Sequence, residues 1–219
     1  MVLRWILALS LSLNLLIAGL GTWVILGAPG NPAGLARHWL ARITERPVQP
    51  GDIVFLGDSL TSRGRWSEMF PDVPTYNAGI PGDTTGEVLA RLERITSRDP
   101  AKIFLLIGTN DLSADVEVPR VSTNIEKIVA WIQSDSPDTQ IYLQSLLPRD
   151  KTHRSSVENL NEKLIRIASK RNTKWINLYP SFLNAADGSI RDDLSCDELH
   201  LTQAGYELWR ETLSTHINE

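Results

Sequence analysis

A single cysteine, Cys196, stands among 219 residues, which excludes any internal disulfide framework. Four histidines and that one thiol show no zinc-type spacing, so no structural zinc site is expected. No basic excess exists either: 22 Lys and Arg against 26 Asp and Glu leave a net charge of −4. A nucleic-acid binder would normally carry a basic patch or stripe, so nucleic acid is not an expected partner. Internal repeats and low-complexity tracts are lacking. The motif Gly-x-Ser-x-Gly is missing around Ser59, where position 61 is threonine, which argues against the ordinary nucleophile elbow.

Charge is also absent from one long stretch. Trp5 to Gly27 holds no charged residue and is mostly Leu, Ile, Ala, Val and Gly. Its 23 residues exceed a signal-peptide core and match the ~20 that span a bilayer. Tryptophans at positions 5 and 23 mark the two ends, where interfacial rings are favoured. Residues 1–30 are therefore expected to form a hydrophobic helix that anchors the chain in a membrane, with cleavage and secretion the alternative. Arg4 on one side and Arg37, Arg42 and Arg46 on the other leave orientation open. Export is the default for such a segment, placing the remaining domain outside the cytoplasm. A breaker cluster, Gly27-Ala28-Pro29-Gly30-Asn31-Pro32, then opens a linker helix over 31–50, closed by Pro47 and Pro50.

From Gly51 onward strand and helix patterns alternate. Strands are expected at Ile53–Leu56, Thr75–Ala78, Lys102–Ile107, Gln140–Leu146 and Lys174–Leu178, mostly apolar, as in parallel strands covered on both faces. Thr84 and Glu87 fit a capping box ahead of Val88, Leu89, Leu92 and Ile95. Further helical stripes are Val121–Ile132, Val157–Ala168 and Tyr206–Ile217. The fold class is α/β: a three-layer α/β/α sandwich on a five-stranded parallel sheet, occupying 51–219.

Ligands of such sheets bind beyond the carboxyl ends of the strands. Ser59 follows the first strand, Gly79 the second and Asn110 the third, while His200 waits in a loop near the end of the sequence. A serine hydroxyl needs a base to become nucleophilic, and a histidine oriented by a carboxylate is the usual one. His200 with Asp197, three residues earlier, can supply both from one loop, although Asp192, Asp193 and Glu198 compete for the orienting role. The N–H groups of Ser59 and Gly79 and the carboxamide of Asn110 are candidate oxyanion donors. Glycine at 79 would let the backbone approach a substrate closely. Asp83 reads as a loop-ordering residue and Cys196 as packing.

These blocks, Gly57-Asp58-Ser59-Leu60, Gly79, Gly108-Thr109-Asn110-Asp111 and Asp197-Glu198-Leu199-His200, resemble the GDSL/SGNH hydrolase family. Within it the pattern is most similar to the catalytic subunits of platelet-activating-factor acetylhydrolase and to lysophospholipase-like bacterial esterases. The supporting segments are Asn77-Ala78-Gly79-Ile80-Pro81-Gly82-Asp83-Thr84-Thr85, Leu146-Leu147-Pro148-Arg149 and Leu199-His200-Leu201-Thr202. Pro81 departs from the glycine often found there and stiffens the loop. The resemblance implies the flavodoxin-like SGNH fold and a serine esterase acting through Ser59, His200 and Asp197. Its substrate would be a small-molecule or lipid ester, including lysophospholipids. The alternatives are an O-acetylesterase of envelope polysaccharide and a non-catalytic carbohydrate-binding protein. Oligomeric state is not legible.

Overall fold

The computed structural model describes residues 46–219, of which Pro47–Glu219 form one compact unit. The expected hydrophobic helix at 1–30 and most of the linker helix at 31–50 lie outside the described residues. Among the described residues, no helix is long and apolar enough to cross a membrane. The unit begins slightly ahead of position 51 because Val48 is buried in the core.

Five parallel strands form a sheet in the order β2-β1-β3-β4-β5: β1 (Ile53–Gly57), β2 (Thr75–Gly79), β3 (Lys102–Leu106), β4 (Gln140–Gln144) and β5 (Lys174–Ile176). Every residue of β1 and β3 is buried, as the unbroken apolar runs require of central strands covered on both faces. Helices connect them: α1 (Ser59–Ser62) and α2 (Trp66–Met69) precede β2, while α3 (Thr85–Arg91) and α4 (Glu93–Thr96) precede β3. Then follow α5 (Thr109–Ser113), α6 (Val118–Asp135), α7 (Arg154–Arg171), α8 (Tyr179–Phe182) and α9 (Gln203–Ile217). The capping box at Thr84 and Glu87 starts α3, with both reciprocal bonds present.

Parallel register aligns Phe55, Phe104 and Tyr142 across β1, β3 and β4. Their rings stack at centroid separations of 5.2 and 4.4 Å. Trp66 lies flat on Phe55 at 4.0 Å, and Trp209 of α9 meets Trp66 edge-on at 5.0 Å. Each such pair adds ~0.5–1.5 kcal/mol beyond its burial. This aromatic layer locks α2 and α9 to one side of the sheet. Helices α3, α6 and α7 pack against one another, with Val121, Ile125, Ile128, Leu160 and Leu164 fully or almost fully buried.

Two strands stop short of their apolar runs for a common reason. β4 ends at Gln144 because the Asn161 side chain takes both backbone groups of Leu146, accepting its N–H at 2.8 Å and donating to its carbonyl at 3.1 Å. β5 ends at Ile176 because the Ser145 hydroxyl accepts the N–H groups of Leu178 and Tyr179. Side chains from neighbouring elements thus replace the ladder, which periodicity alone does not reveal.

Candidate active site

The order β2-β1-β3 places the connections out of β1 and β3 side by side, at the point where strand order reverses and crevices open. β1 ends in Gly57, and Asp58 caps α1 by accepting the Leu60 N–H at 2.9 Å. Ser59 is the first residue of that helix, where backbone N–H groups have no intrahelical acceptor. Among the described residues no acceptor meets its N–H.

The Ser59 hydroxyl lies 3.0 Å from His200 Nε2, across 141 residues of sequence. On the far side of the ring, Nδ1 stands 2.7 Å from Asp197 Oδ2. Neither strand nor helix carries this pair; a tight turn does. Asp197 Oδ1 accepts the N–H of Leu199 at 3.2 Å and of His200 at 2.6 Å, with Glu198 at φ +62° between them. A bridge between Ser195 and Leu201 closes the turn's base. Bonds from the His200 ring and backbone hold Asp197 below the usual carboxylate range, so it is charged at neutral pH. Of the competing carboxylates, Asp193 is engaged by Arg191 at 2.7 Å. Cys196 is exposed, and its thiol donates to the His200 carbonyl.

Asn110 sits in the first turn of α5, which starts from Gly108 at φ +130°, a conformation open to glycine and strained for other residues. Its Nδ2 donates to the Asp83 carbonyl at 2.8 Å, leaving its second amide hydrogen for another acceptor. Gly79 departs from expectation. Its N–H donates to Asn77 Oδ1 at 3.0 Å, so an oxyanion would have to share or displace that acceptor. A Cβ at Gly79 would lie 2.2 Å from Ser62 N and 2.7 Å from Thr61 C. The end of β2 thus packs flush on the backbone of α1, which by itself requires glycine here.

Several buried polar groups escaped sequence reasoning. Arg91 pairs with Asp83 at 2.8 Å and donates to the carbonyls of Gly57 and Ala78, tying the ends of β1 and β2 together. Asp111 accepts the Thr85 N–H at 2.8 Å and its hydroxyl at 2.6 Å; burial raises its pKa. Asp58 is wholly buried, and desolvation, reinforced by the nearby Asp83 and Asp111 carboxylates, pushes it up to about 7. Asn77 donates to the carbonyls of Ser62 and Gly64, orienting the chain after α1. No cluster of metal-ligating side chains exists among the described residues. Beside the site, an open cleft of about 500 Å³ is lined by three arginines, Arg63, Arg65 and Arg210, by the glutamates Glu68 and Glu207, and by Met69, Gln203 and Tyr206. It adjoins α1 directly, since the Arg63 N–H donates to the Ser59 carbonyl and the Tyr206 hydroxyl to that of Leu60.

A parallel α/β domain with serine, histidine and aspartate linked in series at its carboxyl edge belongs to the class of hydrolases. The model of the GDSL-like lipase/acylhydrolase family matches residues 55–208, and the chain is a member of that family. It is 32% identical over 165 residues to platelet-activating factor acetylhydrolase IB subunit alpha2 of Rattus norvegicus, which covers 71% of each chain. The lipase/acylhydrolase from Enterococcus faecalis superposes with a TM-score of 0.66 at 24% identity, covering 76% of this chain and 95% of that one. A variant of an acetyl-xylooligosaccharide esterase of Geobacillus Stearmophilus gives 0.65 at 17% identity, covering 80% and 97%. The two structures establish likeness of fold.

Proposed function

We propose that the protein is a serine esterase that cleaves acyl or acetyl esters through an acyl-enzyme formed on Ser59. The series Ser59 Oγ, His200 Nε2, His200 Nδ1 and Asp197 Oδ2, with separations of 3.0 and 2.7 Å, carries this reading. With the ring proton on Nδ1 facing Asp197, Nε2 accepts the serine proton as Oγ attacks the ester carbonyl. The oxyanion is met by the Ser59 N–H and the Asn110 carboxamide, and by the Gly79 N–H once it turns from Asn77. His200 then protonates the leaving alcohol, and water repeats the sequence to release the acid. The reaction so written uses no metal or cofactor.

Substrate class follows from two supports. The names of the curated relative and of one structural neighbour both specify acetyl esters, which favours a short acyl group. The cleft beside α1 sets three arginines against two glutamates; Glu68 engages Arg65 at 3.2 Å, whereas Arg63 has no carboxylate within ion-pair distance among the described residues, which favours an alcohol bearing an anionic group. Acetyl esters of lysophospholipids fit both, ordinary long-chain lysophospholipids fit only the second, and acetylated polysaccharide, the second reading, fits only the first. A membrane anchor in Trp5–Gly27 would bring the site to lipid, and membrane fractionation of the full chain tests that part.

Ser59→Ala should abolish turnover of p-nitrophenyl acetate while the melting temperature holds. Retained activity in this variant would sink the mechanism. A panel of acetylated lysophospholipid analogues and acetylated xylo-oligosaccharides then separates the two substrate classes.

A further inference from the structure

The segment Leu146-Leu147-Pro148-Arg149 has no part in the chemistry above, yet it ends in a buried guanidinium directed at the helix that carries Asn110. Arg149 Nη1 donates to the carbonyl of Thr109 at 3.1 Å, to its hydroxyl at 3.1 Å and to the Ser113 hydroxyl at 2.7 Å. Thr109 and Ser113 are the first and last residues of α5, so one side chain grips both ends of the helix. The guanidinium is itself held, with Nε 3.4 Å from Asp150 Oδ2. Asp150 in turn faces His153 Nδ1 at 2.8 Å and accepts the Thr152 N–H at 3.0 Å. Although burial opposes its charge, the bonds from Thr152 and His153 and the field of Arg149 keep Asp150 an anion.

Helix α5 needs such a grip. Five residues are far too few for helical propensity to hold them in place, and Gly108 supplies no side-chain cap. Burying a guanidinium costs several kcal/mol unless its bonds are well made, and an apolar side chain often stabilises a fold as well or better. Stability alone is thus a poor reason for an arginine at this place. Fixed direction is a better one, because a preformed donor must already point at the charge that develops.

We propose that Arg149 is a positioning residue that fixes α5 so that the Asn110 carboxamide faces the oxyanion formed over Ser59. The proposal rests on Asn110 acting as an oxyanion donor. Asn110 is then held from two directions: its amide by the Asp83 carbonyl, and the peptide link preceding it by the bond of Arg149 to the Thr109 carbonyl.

A double-mutant cycle on the full chain tests this, using Arg149→Met, Asn110→Ala and the double variant, with p-nitrophenyl acetate kinetics and thermal melts. Loss of an aimed donor lowers kcat and kcat/KM together, ~10²–10³-fold for removal of Asn110. Arg149→Met should lower both by roughly 10–100-fold with KM nearly constant, as misaim falls short of removal. In the Asn110→Ala background it should cost less than about threefold more, because the group it positions is gone. Arg149→Lys, which keeps the charge and hydroxyl contacts but not the fork, should recover part of the rate. Should Arg149→Met not fold, the lysine variant carries the same cycle with a smaller expected loss. Multiplying effects, or a lowered melting temperature at wild-type kcat, would overturn the proposal alone. A wild-type kcat in Asn110→Ala would overturn the oxyanion assignment and this proposal with it.

Discussion

Replacing Gly79 by alanine tests whether the end of β2 seats the nucleophile. The new Cβ would sit 2.2 Å from Ser62 N and 2.7 Å from both Ser62 Cα and Thr61 C, all backbone atoms that cannot rotate aside. Ordinary contact requires ~3.5 Å or more, so α1 must retreat by about 1 Å. Ser59 belongs to that helix, and its hydroxyl has only a 3.0 Å separation from His200 Nε2 to spare. A shift of about 1 Å in a reacting group can cost ~10²-fold in rate. Overpacking of this kind also destabilises by ~1–3 kcal/mol, which for a domain of this size lowers Tm by roughly 2–12 °C. The backbone N–H survives the substitution, so any loss reports sterics and not a missing donor. Steady-state hydrolysis of p-nitrophenyl acetate alongside a thermal melt gives both quantities. A folded Gly79→Ala protein with wild-type kcat would refute the argument that α1 is seated by this contact.

Asp58 makes stability depend on pH in an unusual direction. An unfolded aspartate ionises near 4, whereas folded Asp58 keeps its proton up to about 7, so the folded state holds the extra proton between those values. Stability contributed here therefore falls as pH rises from about 4 to about 7. Asp58→Asn, which retains an acceptor for the Leu60 N–H, should flatten the decline in Tm between pH 5 and pH 8; parallel curves for the two proteins would identify another group. Lys102 gives a separate test. Its ammonium donates to the carbonyls of His216 and Ile217 at 2.9 and 2.8 Å, closing the C-terminal end of α9. Lys102→Met should cost about 1.5–3 kcal/mol, or roughly 3–12 °C in Tm, with little change in kcat, and an unaltered melt would contradict it.

Much of this architecture is legible in the sequence because burial imposes pattern. β1 and β3 read as unbroken apolar runs, and the stripes of α6, α7 and α9 fall where the core lies. Ser59, Asn110, Asp197 and His200 stand at the ends or loops that topology gathers at one edge. What stayed hidden depends on partners distant in sequence. Arg149 and Ser113 are 36 residues apart, Arg91 and Gly57 are 34 apart, and nothing in either local pattern announces the bond. Gly79 was legible as a glycine that matters, but its packing role was not, because the backbone it makes room for belongs to α1. Asp58 offered no signal of burial beyond its place before Ser59, since an N-cap aspartate is more often exposed to water.

The groups beneath the site share one character. Asp58, Asp83, Asp111 and Arg149 are buried ionisable side chains and Arg91 is partly buried, and each bonds backbone or a short helix that carries a candidate catalytic group. Such groups are expensive to bury, and apolar replacements of similar volume are frequently neutral or stabilising. Ser59 and Asn110 are both presented by helices of only four and five residues, which cannot define their own direction. Hydrophobic packing, being non-directional, would hold these helices near the sheet without fixing where their first turns point. Hydrogen bonds from these polar side chains do specify direction, because they weaken steeply when bent. The chain thus places its costly interactions where orientation, rather than stability, decides the chemistry.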